Sequence, residues 1–131
     1  MSALDFLHAR CLIHRDIKLS NLLYNHRGEL KVADFGLARR VSRSRPQATQ
    51  LTPKVVSLWY RPPELLLGSE YYDESVDNWG AACVIGELLL GIPLVRGTSE
   101  MDQLSKIFEL LGPPTSQQWP VSILYSLHCS L

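Results

Sequence analysis

At 131 residues the chain accommodates one domain at most. Hydrophobic residues make up 46% and charged residues 20%, an ordinary globular composition that argues against disorder over most of its length. The formal net charge is zero, so there is no electrostatic ground to expect nucleic acid or a membrane surface as a partner.

Cys11, Cys83 and Cys129 are odd in number and widely spaced, without a C-x-x-C pair or a histidine at metal-ligand spacing; they read as reduced intracellular thiols. The most apolar stretch, residues 81–95, is interrupted by Glu87 and Pro93 and is too short to cross a bilayer. No secretory signal opens the chain, and a nuclear or cytoplasmic protein is the expectation.

Leu4, Leu7 and His8, then Cys11 and Leu12, recur at three- and four-residue spacing, so residues 2–11 read as the last turns of an amphipathic helix whose beginning is missing. Two short apolar runs follow, residues 22–24 and 30–33, joined by a polar loop ending in Gly28, which is a β-hairpin signal. Residues 39–54 show no periodicity and read as a long exposed loop. Its arginines, Arg39, Arg40, Arg43 and Arg45, read as a solvated run, with a nuclear-import patch as the weaker alternative. Pro62 and Pro63 before Glu64 mark a helix start. Residues 76–90, apolar on nearly every face, read as a helix buried all round, ended by Gly91 and Pro93. A last helix spans about residues 99–111, with Ser99 and Asp102 in capping-box spacing and a stripe of Met101, Leu104, Ile107, Phe108 and Leu111. The sum is a mainly α chain with a small β-hairpin.

The chemistry concentrates in residues 14–21, HRDIKLSN, and in Asp34-Phe35-Gly36 after the hairpin. An antiparallel hairpin places the start of its first strand beside the end of its second, so Asn21 and Asp34 should converge at its open end. A carboxylate and an amide carbonyl suit a hard cation such as Mg²⁺, which takes few protein ligands and completes its shell with phosphate and water oxygens. On the loop entering that end, Asp16 is placed to accept a proton from a hydroxyl nucleophile and Lys18 to offset phosphate charge. Base, metal and cation in one site are what phosphoryl transfer requires. Each short motif alone is more often a turn or a solvated loop; together, in order and at this spacing, they are a specific signature.

On these residues the chain resembles the protein kinase superfamily, and within it the cyclin-dependent kinases, with particular likeness to the PITSLRE and PISSLRE types. The resemblance spans roughly residues 2–119, which implies a partial kinase domain over 1–119 and a divergent tail over 120–131. It implies Asp16 as catalytic base, Asn21 and Asp34 as metal ligands, Lys18 as the contact to the transferred phosphate, and ATP with Mg²⁺ as cofactors. Residues 52–64, TPKVVSLWYRPPE, resemble the activation segment of that family. Thr52 stands at its phosphorylated position, although a Thr-Pro pair alone reads as a turn. Arg15 and Arg39 match the phosphate-clamping arginines, and Ser57 stands for the threonine that bridges base and lysine. Val55, Val56 and Arg61 resemble the pocket that selects proline after the phosphoacceptor. Asp77 matches a buried helix acid that holds the catalytic loop, and equally reads as an ordinary acid in a first helical turn. Glu64 matches the acid that pairs with an arginine further along the family's chain.

The sequence contains no G-x-G-x-x-G loop, no strand lysine of the V-A-I-K type and no helix matching the cyclin contact. The resemblance therefore implies part of the C-terminal lobe of the α+β kinase-like fold, with the N-terminal lobe absent. The expected activity is transfer of the ATP γ-phosphate to serine or threonine of protein substrates, before proline, with a cyclin as partner of a complete enzyme and doubtful activity for this chain alone. A non-catalytic regulatory or binding product, or an incomplete gene model, is the alternative.

Overall fold

The computed structural model describes residues 2–41, 56–113 and 115. Helix α1 is short, Ala3–His8, and has its own start: the Ser2 side chain accepts the Asp5 N–H while the Asp5 carboxylate accepts the Ser2 N–H. This capping box satisfies two otherwise unpaired N–H groups. The helix expected over residues 2–11 is thus shorter, spanning only residues 3–8. The chain turns at Cys11, in the left-handed region at φ 58°, into strand β1, Leu12–Ile13.

After a 3-10 turn at Leu19–Asn21 come strands β2, Leu22–Tyr24, and β3, Leu30–Val32, paired antiparallel with Leu22 opposite Val32 and Tyr24 opposite Leu30. The hairpin forms because Asn25 organises its turn. Its Oδ1 accepts the N–H groups of Arg27 and Glu29, and Gly28 takes φ 76°, where a side chain would be strained. Arg39–Arg40 do not belong to a loop. They form strand β4, antiparallel to β1, with Ile13 opposite Arg39. Polar residues serve there because β4 exposes both side chains.

A 3-10 turn at Leu58–Tyr60 leads into α2, Pro63–Leu66, which opens on proline as expected. Helix α3, Ser75–Leu90, stops at Gly91 with φ 72°. It is not buried all round. Val76, Asp77, Gly80, Cys83 and Val84 are buried on one face, whereas Ile85, Leu88, Leu89 and Leu90 are exposed among the described residues. Helix α4, Glu100–Leu111, begins at Ser99, whose Oγ accepts the Asp102 N–H. Its stripe is only partly realised: Leu104 and Ile107 are buried, Met101 and Leu111 are exposed, and the polar Gln103 is fully buried. Gln103 is tolerated inside because its amide bonds Gly97 N and the carbonyls of Trp59 and Val95.

The core joins these pieces. Ile13 and Ile17 from the β1 region pack with Val56, Tyr60, Leu65 and Tyr72 against Val76, Cys83 and Val84 of α3. Each such side chain contributes about 1.5–3 kcal/mol on full burial, so α3 is the post around which the loop between β1 and β2 is wound.

Candidate active site

That loop is the most buried polar segment described. His14, Arg15, Asp16 and Asn21 are each less than a tenth exposed. Such burial is tolerable only where every group has a partner, and Asp77 on α3 supplies the first. Its Oδ2 accepts His14 N–H and its Oδ1 accepts Arg15 N–H, both at 2.8 Å, while His8 Nε2 lies 2.8 Å from Oδ2. Arg15, held this way, sits at φ 68°, a left-handed conformation that a non-glycine residue adopts only when its surroundings enforce it. Gly80, one turn further, lets α3 approach so closely that a Cβ there would lie 2.8 Å from the Ile17 carbonyl oxygen.

The loop so anchored presents Asp16 to a cluster of donors. Its Oδ2 forms an ion pair with Lys18 Nζ at 2.8 Å and accepts Asn21 Nδ2 at 3.0 Å. Its Oδ1 accepts the Ser57 hydroxyl at 3.1 Å, and Lys18 Nζ also donates to Ser57 Oγ at 3.0 Å. Burial works to raise the Asp16 pKa, but the Lys18 ammonium, the Ser57 hydroxyl and the Asn21 amide together outweigh it and hold the carboxyl below its usual range. Asp16, Lys18 and Ser57, separated by up to 41 residues, thus form one closed triangle.

Asn21 stands at the open end of the hairpin, where its carbonyl oxygen accepts Ala33 N–H at 2.8 Å and Asp34 follows directly. Its side-chain amide nitrogen is taken by the Asp16 backbone and carboxylate, which leaves Oδ1 as its ligand atom. Asp34 is exposed, lies in the left-handed region at φ 62°, and accepts Gly36 N–H through Oδ1. One amide oxygen and one exposed carboxylate fit a hard cation that takes few protein ligands. Phosphate and water oxygens would complete the shell of such a cation. Beside them the His14 ring meets Phe35 edge-on at 5.0 Å, and its Nε2 lies 3.0 Å from the Ala33 carbonyl oxygen.

Val56 is buried at φ 66°, and its carbonyl oxygen accepts both Nε and Nη2 of Arg61, at 3.3 and 3.0 Å. Arg61 is in turn paired with Glu100 at 2.7 Å. Arg15 and Arg39 meet less directly than the clamp expectation has it. The Arg15 guanidinium bonds the Leu37 carbonyl and the Tyr72 hydroxyl, whereas Arg39 is exposed and donates to the Ala38 carbonyl. The β1–β4 register nonetheless sets Arg39 opposite Ile13, two residues before Arg15. Thr52 and Val55 lie outside the described residues. Glu64 has no cation within ion-pair distance among the described residues, and burial, with nearby Asp73 adding to it, raises its pKa. It lines a cavity of about 590 Å³ with Tyr71, Asp73 and Trp79.

Sequence reasoning missed two supports. Tyr60 donates its hydroxyl to Glu87 at 2.5 Å, and burial together with Glu87 pushes its pKa up to about 12, so it remains a donor. Nothing in the spacing from Tyr60 to Glu87 announces that pair. Gly80 did carry a signal, since an isolated glycine inside a helix commonly marks a close approach.

The protein kinase domain model matches residues 1–129. The chain belongs to the protein kinase family. Kinase relatives agree on the branch: it is 50% identical over 120 residues to a probable cyclin-dependent kinase 10 of Dictyostelium discoideum, covering 92% of this chain and 32% of that one. It is 51% identical over 120 residues to the serine/threonine-protein kinase ppk23 of Schizosaccharomyces pombe, covering 92% and 29%. Among solved structures, the yeast RNA Pol II CTD kinase CTDK-1 complex matches with a TM-score of 0.83 at 42% identity, over 90% of this chain and 38% of that chain. The kinase-like fold is thereby shown. The chain spans about a third of the length of these curated relatives.

Proposed function

We propose that these residues are the phosphoryl-transfer part, within the larger C-terminal lobe, of a cyclin-dependent-type serine/threonine kinase. The observation that carries this is the triangle of Asp16, Lys18 and Ser57, to which the Asn21 amide is hydrogen-bonded. Asp16, ionised through neutral pH, accepts the proton of a substrate hydroxyl. Lys18, held against it, offsets charge on the phosphoryl group in transit, and Ser57 keeps the two in register. Asn21 and Asp34 would hold the magnesium, which when bound neutralises the phosphates of ATP.

Proline after the phosphoacceptor is favoured by the Val56 carbonyl. Because Arg61 occupies that acceptor, a peptide N–H arriving there finds no partner, and proline has none to satisfy. Thr52 is the proposed activating phosphosite, answered by the exposed Arg39 guanidinium. The kinship with cyclin-dependent kinases supports a cyclin as partner.

The nucleotide-gripping motifs are not among the 131 residues, so this polypeptide alone should transfer no phosphate. The test is radiolabelled transfer to Ser-Pro and Ser-Ala peptides by the chain alone and by a chimera carrying the small lobe of the Dictyostelium discoideum relative, with its cyclin. The chain alone should match its Asp34→Asn control. The chimera should label Ser-Pro peptide in an Asp16-dependent way. A folded, cyclin-bound chimera no better than its Asp16→Asn variant would sink the assignment.

A further inference from the structure

A closed circuit of hydrogen bonds joins three segments of the chain near Val56. The Trp59 indole N–H donates to the Gly97 carbonyl at 2.9 Å, the Gly97 N–H donates to Gln103 Oε1 at 2.6 Å, and Gln103 Nε2 returns to the Trp59 carbonyl at 3.3 Å. Gln103 has no exposed surface. A buried amide is costly unless both its ends are used, and here both go to the backbone of other segments. Gly97 makes the fit possible, because a Cβ there would lie 2.5 Å from Gln103 Oε1 and 2.6 Å from its Cα.

The turn gripped by this circuit, Leu58–Tyr60, lies between Val56 and Arg61. Val56 stands at φ 66°, a strained conformation for a β-branched residue that persists only where its neighbours enforce it. Arg61 Nε and Nη2 hold its carbonyl oxygen, and Glu100 in the first turn of α4 holds Arg61. That ion pair is a weak anchor, since Glu100 is 52% exposed. The buried Gln103 amide is the firmer tie between the turn and α4. Resting on the phosphoryl-transfer reading above, we propose that Gln103 is a positioning residue for substrate selection. By fastening Trp59 and Gly97 to α4 it keeps Arg61 on the Val56 carbonyl, and so keeps that acceptor closed to the N–H of any residue but proline.

The test begins with the full 131-residue chain. Gln103→Met, which keeps the length of the side chain and removes its amide, should speed hydrogen exchange several-fold in residues 56–61 and leave the hairpin of residues 22–32 unchanged. In the chimera described above, the same variant should lower the ratio of kcat/KM on Ser-Pro to that on Ser-Ala peptide several-fold. Trp59→Phe removes the indole donor at a position 41% exposed, and it should lower the ratio by less. It carries both readouts should Gln103→Met unfold the chain. Lys106→Met removes a bond from α4 to the Arg96 carbonyl and none to residues 56–61, so it should leave the ratio as it was. With a parent chimera that labels Ser-Pro peptide, an unchanged ratio, unchanged exchange in residues 56–61, or an equal fall in Lys106→Met overturns the proposal alone. A parent chimera that labels neither peptide overturns the phosphoryl-transfer reading and this role with it.

Discussion

Asp77 holds Arg15 by its backbone: Oδ1 on α3 accepts the Arg15 N–H at 2.8 Å, 62 residues away, and the residue held there has φ 68°. The loop of residues 14–21 is thus shaped by a buried carboxylate on α3. Asp77→Ala leaves the buried His14 and Arg15 N–H groups unpaired and should destabilise the fold by about 2–5 kcal/mol. Asp77→Asn, which keeps one acceptor oxygen, should lose less. Denaturant unfolding of the two variants checks the order.

Asp16 titrates below the ordinary aspartate value of 3.8 because Lys18, Ser57 and Asn21 together outweigh the effect of burial. A carboxyl depressed in the fold contributes stability that is present above the unfolded value and lost as pH falls through the folded one. Carbon-13 NMR titration should show the Asp16 resonance moving to higher pH in Lys18→Met, and by less in Ser57→Ala. An unchanged titration in both would remove the triangle from the account of this site.

Glu64 has the opposite sign. Burial raises its pKa, so its ionised form opposes folding above the ordinary value of 4.5. Glu64→Gln should therefore raise the thermal midpoint of this chain at roughly neutral pH. The gain should vanish as pH falls below 4.5.

Gly80 and Gly86 separate two kinds of close contact on α3. A methyl at Gly80 meets the Ile17 backbone oxygen at 2.8 Å, which cannot turn aside, and Gly80→Ala should cost about 1–3 kcal/mol. At Gly86 the methyl meets the ends of the Leu94 side chain at 3.0 Å. Leu94 can rotate away, and Gly86→Ala should be near neutral or gain up to about 1 kcal/mol of helix propensity. Thermal unfolding distinguishes the pair.

Arg61 supports the Val56 carbonyl, and Arg61→Ala should leave that acceptor open to a peptide N–H. Transfer to Ser-Ala peptides by the chimera should then rise relative to Ser-Pro. Glu100→Gln should change the ratio less, because Glu100 is 52% exposed and a surface pair contributes about 0–1 kcal/mol.

The order HRDIKLSN, hairpin, Asp34-Phe35-Gly36 was legible in the sequence because turn chemistry and residue spacing act locally: Asn25 and Gly28 specify the hairpin, and the hairpin specifies where Asn21 and Asp34 stand. The starts of α2 and α4 follow likewise from Pro63 and Ser99. Contacts between distant segments were decided by packing. Ser57 reaches Asp16 across 41 residues, a bridge that only the family resemblance implied and no local spacing announces; Tyr60 reaches Glu87, and α3 buries one face and exposes Leu88 and Leu89 although both faces read alike. Periodicity reports which side chains share a face of a helix, and only the placement of neighbouring elements determines which face loses its water.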